Sequence, residues 1–380
     1  MRVVVVEGEV CGFGASGRNG GWASALFADP TAHAMEHALE TTVDDLGALA
    51  DEEGVDCHYV KGGTLTFATT AAQEARVRAE GGWLPSSEAV ARLAVAGARG
   101  AAFTPHCARV HPARLAVGLA AAVARRGGRI FERTRATAIE PGVVRTVAGD
   151  VRAPLVVRAT EGFTRDLPGL RRRLVPIHSL MIATEPLPAS VWDEIGWEGR
   201  ETFTDGRNLI IYGQRTADDR IAFGGRGAPY RFASRYSTTF PDDHPVFADL
   251  ARVLRSLLPQ IGDAEVTHRW GGPLGVPRDW HSSVGLDRSA GLAWAGGYVG
   301  DGVTTTLLAG QTLADLLLGV PSDKTALPWV DHHSRSWEPE PLRWLGINAG
   351  LALTKSVDAA ETAGRSPKAR ALAMRKVLGR

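Results

Sequence analysis

The segment 292–318 constrains the fold most, because it joins three elements in a fixed order. Residues 292–298 are a short apolar run that predicts a strand, and a glycine turn containing Gly300 and Gly302 follows directly. Residues 307–318 continue a helix, which a glycine and a nearby proline end. This order of elements directs backbone N–H groups and the positive end of a helix dipole at an electron-rich group.

The opening of the chain contains a literal G-x-G-x-x-G, formed by Gly12, Gly14 and Gly17. In a dinucleotide fold the first glycine follows a strand almost directly, and a helix of small apolar residues begins there. Here residues 7–11 separate the apolar run 3–6 from the glycines. The glycines are followed at residues 18–22 by Arg-Asn-Gly-Gly-Trp, and this segment has a low propensity to begin a helix. The motif alone is weak support for a nucleotide site. An NAD-dependent dehydrogenase that uses these glycines stays an alternative.

Residues 2–7 fit the second strand of such a fold better. An acidic residue ends that strand about 20 residues after the glycine turn and binds the adenosine ribose. Glu7 has this position at the end of the valine run. We therefore expect the first strand, its glycine turn and the first helix to lie upstream of Met1. A non-catalytic fragment is a further alternative.

Composition excludes several classes of function. The net charge of +1 gives no reason to expect a nucleic-acid partner. Cys11, Cys57 and Cys107 have no C-x-x-C spacing, so we expect neither a disulfide framework nor a metal site, and a reducing cytoplasm suits them. No apolar stretch reaches the roughly 18 residues that span a membrane, so no membrane partner is expected.

The run 3–7 followed by residues 12–21 resembles the FAD-dependent amine and amino-acid oxidases, the family of D-amino-acid oxidase, glycine oxidase and sarcosine oxidase. The Ser-Gly-Arg-Asn-Gly-Gly segment, residues 16–21, is most similar to the γ-glutamylputrescine oxidase branch. Later segments agree in order, notably 155–162 and 292–306, and the resemblance covers roughly residues 1–345. The chain departs at Glu161, where glycine is usual, and we expect this carboxylate to point away from a pyrophosphate.

The resemblance implies an α/β plus β fold. A Rossmann-like FAD-binding domain, without its first βα unit, is interleaved with an antiparallel-sheet substrate domain. The ranges that the resemblance implies are 1–57, 106–165 and 290–325 for the FAD-binding domain, 58–105 and 166–289 for the substrate domain, and 326–380 for a C-terminal extension.

The same resemblance implies site residues and a reaction. Flavin oxidises the C–N bond of a small amine or amino acid to an imine, and oxygen or another acceptor reoxidises it. No catalytic side chain is predicted, because the flavin carries the chemistry, and a chain that starts at Met1 should retain FAD poorly. The expected cofactor-binding residues are Glu7, Ser16, Gly17, Arg18, Asn19, Gly20, Gly21, Ala136, Ala159, Thr160, Gly300, Asp301, Gly302, Val303 and Thr304. The substrate candidates are Tyr212, Arg226, Trp280 and Tyr298, with Trp270 and His281 also considered.

Overall fold

The computed structural model describes residues 2–26 and 33–378, without the side chains of Arg226 and residues 375–378. The described residues form eighteen strands and ten α-helices. The strands are β1 (Val4–Val6), β2 (Trp22–Ser24), β3 (Thr64–Ala68), β4 (Trp83–Pro85), β5 (Gly100–Thr104), β6 (Cys107–Arg109), β7 (Arg129–Phe131), β8 (Ala136–Glu140), β9 (Val143–Thr146), β10 (Gly149–Arg152), β11 (Val156–Arg158), β12 (Val175–Thr184), β13 (Thr202–Asp205), β14 (Ile211–Arg215), β15 (Ile221–Arg226), β16 (Val266–Val276), β17 (Ser283–Asp287) and β18 (Leu292–Gly296). The helices are α1 (Ala15–Arg18), α2 (His33–Glu52), α3 (Ala71–Arg78), α4 (Ser86–Arg92), α5 (Pro112–Arg125), α6 (Ala189–Ile195), α7 (Pro245–Leu257), α8 (Gly302–Leu318), α9 (Leu342–Thr362) and α10 (Lys368–Leu378).

Two small sheets each contain one parallel pair of strands. The strands of both pairs lie in the ranges predicted for the FAD-binding domain. β1 pairs in parallel with β7, and β11 pairs in parallel with β18, which also pairs antiparallel with β17. Ala293 and Ala295 of β18 are buried against α2 and α8, where they meet Met35 and Leu308. The alternation of buried residues along β18 follows from the two-residue period of a strand and places the α8 helix directly against this sheet.

An eight-stranded sheet forms the second layer, in the order β16-β12-β15-β14-β13-β3-β5-β4. The predicted α/β plus β fold class is confirmed. The sheet is antiparallel except for one pair, because β13 runs parallel to β3, with Thr202 opposite Thr64. All eight strands lie inside the predicted ranges 58–105 and 166–289. β17 lies within the range predicted for the substrate domain, 166–289, but it pairs with β18. The domain boundaries stay a prediction.

Helix ends follow local capping chemistry. The apolar spacing of residues 111–126 predicts a helix, and α5 spans almost all of it, with the His111 side chain capping its first turn. A second helix is predicted over residues 249–258, but α7 begins at Pro245, four residues before Asp249. Proline suits the first helical position, and the His244 ring accepts a hydrogen bond from the backbone amide of Val246, so the helix starts earlier. Its apolar face covers one side of the large sheet.

The C-terminal extension packs onto the large sheet. The Asp358 carboxylate accepts hydrogen bonds from the backbone amides of Asn208 and Leu209, each at 2.8 Å. Glu361, in the same helix, forms an ion pair with Arg76 at 2.7 Å. The alanine-rich and basic composition of residues 356–380 predicts a solvated helix, but residues 356–362 belong to α9, whose two carboxylates bind residues beside the large sheet. Within the described ranges, no helix has the length and apolarity needed to cross a membrane.

Candidate cofactor site and substrate cavity

The loop at residues 16–21 is shaped by one side chain. Asn19 donates hydrogen bonds to the backbone oxygens of Ala15 and Ser16, at 3.0 and 3.1 Å. Its Oδ1 accepts a hydrogen bond from the amide of Gly21 at 2.7 Å. Asparagine commonly makes such bonds to nearby backbone, so Asn19 ends the four-residue helix α1 and sets the turn that follows.

The same loop is held on the large sheet by three longer-range hydrogen bonds. The indole of Trp270, on β16, donates to the oxygen of Arg18 at 3.0 Å. Gln214, on β14, donates to the oxygen of Gly20 at 2.6 Å. The guanidinium of Arg18 in turn donates to the oxygen of Thr238 at 2.6 Å. The predicted cofactor loop is therefore positioned by the predicted substrate domain.

Three loop glycines have a packing requirement of their own. A Cβ on Gly17 would lie 2.1 Å from the oxygen of Gly12, and one on Gly20 would lie 2.5 Å from the Tyr212 ring. Gly21 has a φ of +69° and no room for a Cβ beside the Gln214 amide. Packing within the protein, without any cofactor, therefore requires glycine at these three positions. The close approach of a flavin to this loop stays a prediction.

The amino end of α8 is suited to an electron-rich group. Its N-cap residue, Asp301, makes no capping bond to the first turn. Thr304 is 0% exposed, and its Oγ1 has no hydrogen-bond partner among the described residues. A Cβ on Gly302 would make only ordinary contacts at 3.5 Å, so the protein leaves this approach open. Uncapped N–H groups and a buried hydroxyl fit the polar edge of a flavin.

The other predicted cofactor residues are dispersed along the strand ends. Glu7 follows β1, is half-buried, and its Oε1 accepts a hydrogen bond from the amide of Glu9 at 2.9 Å. Ala136 begins β8. Ala159 and Thr160 follow β11, and the Thr160 and Thr164 hydroxyls lie 2.8 Å apart. Their contacts with FAD stay predictions. Gly12 to Gly17 form turns and the short helix α1, so the long helix of a dinucleotide site does not follow them.

The substrate candidates are divided between different surroundings. The Tyr212 hydroxyl lies 2.6 Å from the Ser179 hydroxyl, and its ring packs against Gly20. Tyr298 lies beside Glu161, and burial raises the pKa of its hydroxyl far above the usual range. The backbone of Arg226 pairs with Ser179, while its side chain lies outside the described residues. Their roles in substrate binding stay predictions.

Trp280 has a distinct position, because it lies between two hollows. On one side it lines a cavity of about 360 Å³ between the large sheet and α9. On the other side it lines a small hollow with Tyr298, Asp301 and Thr305, at the amino end of α8. The cavity and the hollow at the predicted cofactor turn therefore share Trp280 as a lining residue.

Sequence reasoning missed most of the cavity lining. The cavity walls are largely apolar or aromatic, and an ion pair between Arg278 and Glu338, at 2.9 Å, supplies charge at one side. The sequence predicts that the tail from Pro328 packs over the core, and Trp337 does so at 6% exposed. Its cluster of tryptophan, glutamate and proline was the available signal. The main lining residues are Ile177, Tyr230, Trp280, Trp337, Leu342 and Ile347.

A strand, a glycine turn and a helix at the end of a parallel strand pair, beside a separate large sheet, are typical of oxidoreductases that bind a nucleotide cofactor. The chain belongs to the FAD dependent oxidoreductase family, whose model matches residues 1–316. The predicted family and the FAD cofactor are thereby confirmed.

Individual relatives agree with this assignment. The chain is 30% identical to gamma-glutamylputrescine oxidoreductase of Escherichia coli, over 83% of this chain and 78% of that protein. It is 28% identical to a probable oxidoreductase, OrdL, of Rhizobium meliloti, over 83% and 77%. The fold matches glycine oxidase from Geobacillus kaustophilus with a TM-score of 0.74 at 23% identity, covering 87% of this chain and 92% of that one.

Proposed function

We propose that this protein oxidises the C–N bond of a small amine or amino acid to an imine. The family supplies FAD dependence, and the names of two relatives, gamma-glutamylputrescine oxidoreductase and glycine oxidase, specify substrates of this type. The single observation that carries the proposal is the position of Trp280, which adjoins both the cavity and the amino end of α8. A substrate in the cavity would lie next to the turn assigned to the flavin.

The residues that would hold FAD are those of the loop 16–21 and the α8 amino end. Bound flavin supplies a two-electron acceptor for the carbon next to the nitrogen, and oxygen or another acceptor takes the electrons afterwards. The protein must bind the amine in its neutral form. An apolar cavity favours that form, because burial disfavours the ammonium ion. Tyr230, Trp280 and Trp337 give the cavity such walls.

The lining also limits the substrate. A volume of about 360 Å³ lies near the lower end of small-molecule sites. The aromatic walls suit an alkyl chain, and the Arg278–Glu338 pair offers both charges to a zwitterionic end group. We infer an amine with an extended carbon chain and a charged group at the far end. γ-Glutamylputrescine, which the name of the Escherichia coli relative specifies, has this form.

A panel of amines tests the proposal. The FAD-supplied protein is mixed without oxygen with γ-glutamylputrescine, putrescine, glycine, sarcosine and proline, and loss of the oxidised flavin absorbance is followed. Peroxide is then measured in air. We expect flavin reduction by at least one amine with a chain longer than that of glycine. A flavin that no amine reduces would contradict the proposed reaction.

A further inference from the structure

Glu161 places its carboxyl group between the end of β18 and the strand β16. It follows β11 and begins the 3₁₀ helix Glu161–Asp166 with a φ of +39°. Its Oε2 accepts a hydrogen bond from the amide of Gly297 at 2.7 Å. The backbone amides of Tyr298 and Gly275 also face this carboxyl group. The segment that follows β18 and the strand β16 therefore converge on one side chain.

The glycines around Glu161 make room for it. A Cβ on Gly296 would lie 2.9 Å from the Glu161 Oε2 atom, and one on Gly275 would lie 3.1 Å from the Glu161 carboxyl carbon. Gly296 ends β18, and Gly275 lies in β16 of the large sheet. Side chains at these positions would displace the carboxyl group. The absence of a side chain at Gly275 and Gly296 therefore leaves the space that the Glu161 carboxyl group occupies.

We propose that Glu161 is a positioning residue of the cofactor site, which fastens residues 296–299 to β11 and β16. Residues 296–299 lead directly into α8, whose amino end carries Gly302 and Thr304. A shift of this segment would move the first-turn N–H groups of α8. Glu161 acts through that turn and has no role in the bond that the enzyme changes. The proposal rests on the family's need for FAD and is independent of which amine is oxidised.

The charged groups around Glu161 determine how its fastening of residues 296–299 depends on pH. Burial raises the pKa of its carboxyl group to about 7, while the amides of Gly297, Tyr298 and Gly275 and the guanidinium of Arg158 oppose the rise. Arg158 ends β11, and the Tyr298 hydroxyl faces Glu161 from the turn. A folded-state pKa above the unfolded one means that the closed arrangement prefers the protonated acid. Raising the pH through about 7 therefore weakens the fastening.

The affinity for FAD should follow the same dependence, because residues 296–299 lead directly into the α8 turn that would hold the flavin. We expect the affinity for FAD to fall by about three- to tenfold between roughly pH 6 and pH 8, which corresponds to a coupling of about one pKa unit or less. Glu161→Gln, which does not titrate, removes this dependence.

The first measurement is FAD affinity by titration at both pH values, in the wild type, Glu161→Gln and Glu161→Gly. Glycine tolerates the positive φ, so the second variant should fold. Glu201→Gln is the matched control, because Glu201 is 5% exposed and burial also raises its pKa, but it directly precedes β13 of the large sheet. The wild type and Glu201→Gln should keep the pH dependence. Its persistence in both Glu161 variants would overturn the proposal.

The second measurement needs no cofactor, so it separates this proposal from the proposed function. Amide hydrogen exchange of residues 296–302 is compared at about pH 6 in the cofactor-free protein. We expect these amides to exchange at least threefold faster in Glu161→Gly than in the wild type, with residues 202–215 unchanged. Equal exchange of residues 296–302 in the two proteins would overturn the fastening role, whatever the protein oxidises.

Discussion

The indole Nε1 of Trp270 lies 3.0 Å from the backbone oxygen of Arg18 and donates a hydrogen bond to it, across 252 residues of sequence. This bond joins β16 of the large sheet to the loop assigned to the cofactor. Gln214 makes a second bond of the same kind to the oxygen of Gly20. The position of the loop therefore depends on the sheet that would cover the substrate.

Replacing Trp270 with phenylalanine tests this link. The variant keeps an aromatic ring but leaves the Arg18 oxygen without its donor, which should cost about 0.5–1.5 kcal/mol of unfolding free energy. The measurement is urea unfolding of the two proteins. Trp344→Phe is the control, because Trp344 is 38% exposed, and it should leave stability unchanged. Equal stability of Trp270→Phe and the wild type would show that the bond contributes nothing.

Much of the fold was predictable from local patterns. The order of strand, glycine turn and helix at β18 and α8 was evident from the apolar run and the glycines, and capping residues fixed α5 closely. The start of α7 was missed because the prediction followed the apolar periodicity and overlooked Pro245 and His244. The parallel pairing of β13 with β3 was also missed, since no local pattern reports which distant strand becomes a neighbour.

The candidate site was less predictable, because it depends on contacts between distant segments. The glycines at residues 16–21 were noticed as a motif, but their packing against Tyr212 and Gln214 required the fold. The cavity beside Trp280 is lined by a C-terminal helix whose apolar residues gave no sign of what they cover. The hydrogen bonds that three amides offer to Glu161 also required the fold, and its orientation relative to a pyrophosphate stays a prediction.

Glu7 is predicted to bind the adenosine ribose. Glu7→Ala should weaken FAD binding by about 1–3 kcal/mol, the usual loss for a hydrogen bond to a charged group. Titration with FAD measures the change. Glu9→Gln is the control, because Glu9 pairs with Arg135 at the surface and should keep the wild-type affinity. An unchanged affinity in Glu7→Ala would remove this residue from the cofactor site.

His178 should make the protein less stable in mild acid. It is 2% exposed, and its Nε2 accepts a hydrogen bond from the amide of Ser237 at 3.0 Å. Burial, followed by the charge of Arg231, lowers its pKa to about 4. The unfolded chain therefore binds a proton first, and stability falls as the pH drops from about 6.5 towards 4.

The His178→Gln variant isolates this effect, since glutamine can accept the same hydrogen bond without titrating. Between about pH 6.5 and pH 5, the wild type should lose about 1–2 kcal/mol more unfolding free energy than the variant. His333→Gln, at an exposed position, is the control and should follow the wild type. Parallel stability curves for the wild type and His178→Gln would contradict the prediction.

The central claim is that the amino end of α8 binds the flavin, and Gly302→Val tests it most directly. A Cβ at Gly302 would meet only the Tyr298 side chain at 3.5 Å, so the variant should fold with an unchanged far-ultraviolet spectrum. Its branched side chain would block approach to the first-turn N–H groups. Gly310→Val is the matched control, because Gly310 lies in the same helix and a Cβ added there would have no neighbouring atom within 4 Å.

The measurement is the dissociation constant for FAD, read from flavin fluorescence during titration of the three proteins. We predict that Gly302→Val binds FAD at least about tenfold more weakly than the wild type, a loss of about 1.4 kcal/mol or more, while Gly310→Val binds it equally well. A Gly302→Val protein that binds FAD as tightly as the wild type would contradict the assignment of this turn to the flavin.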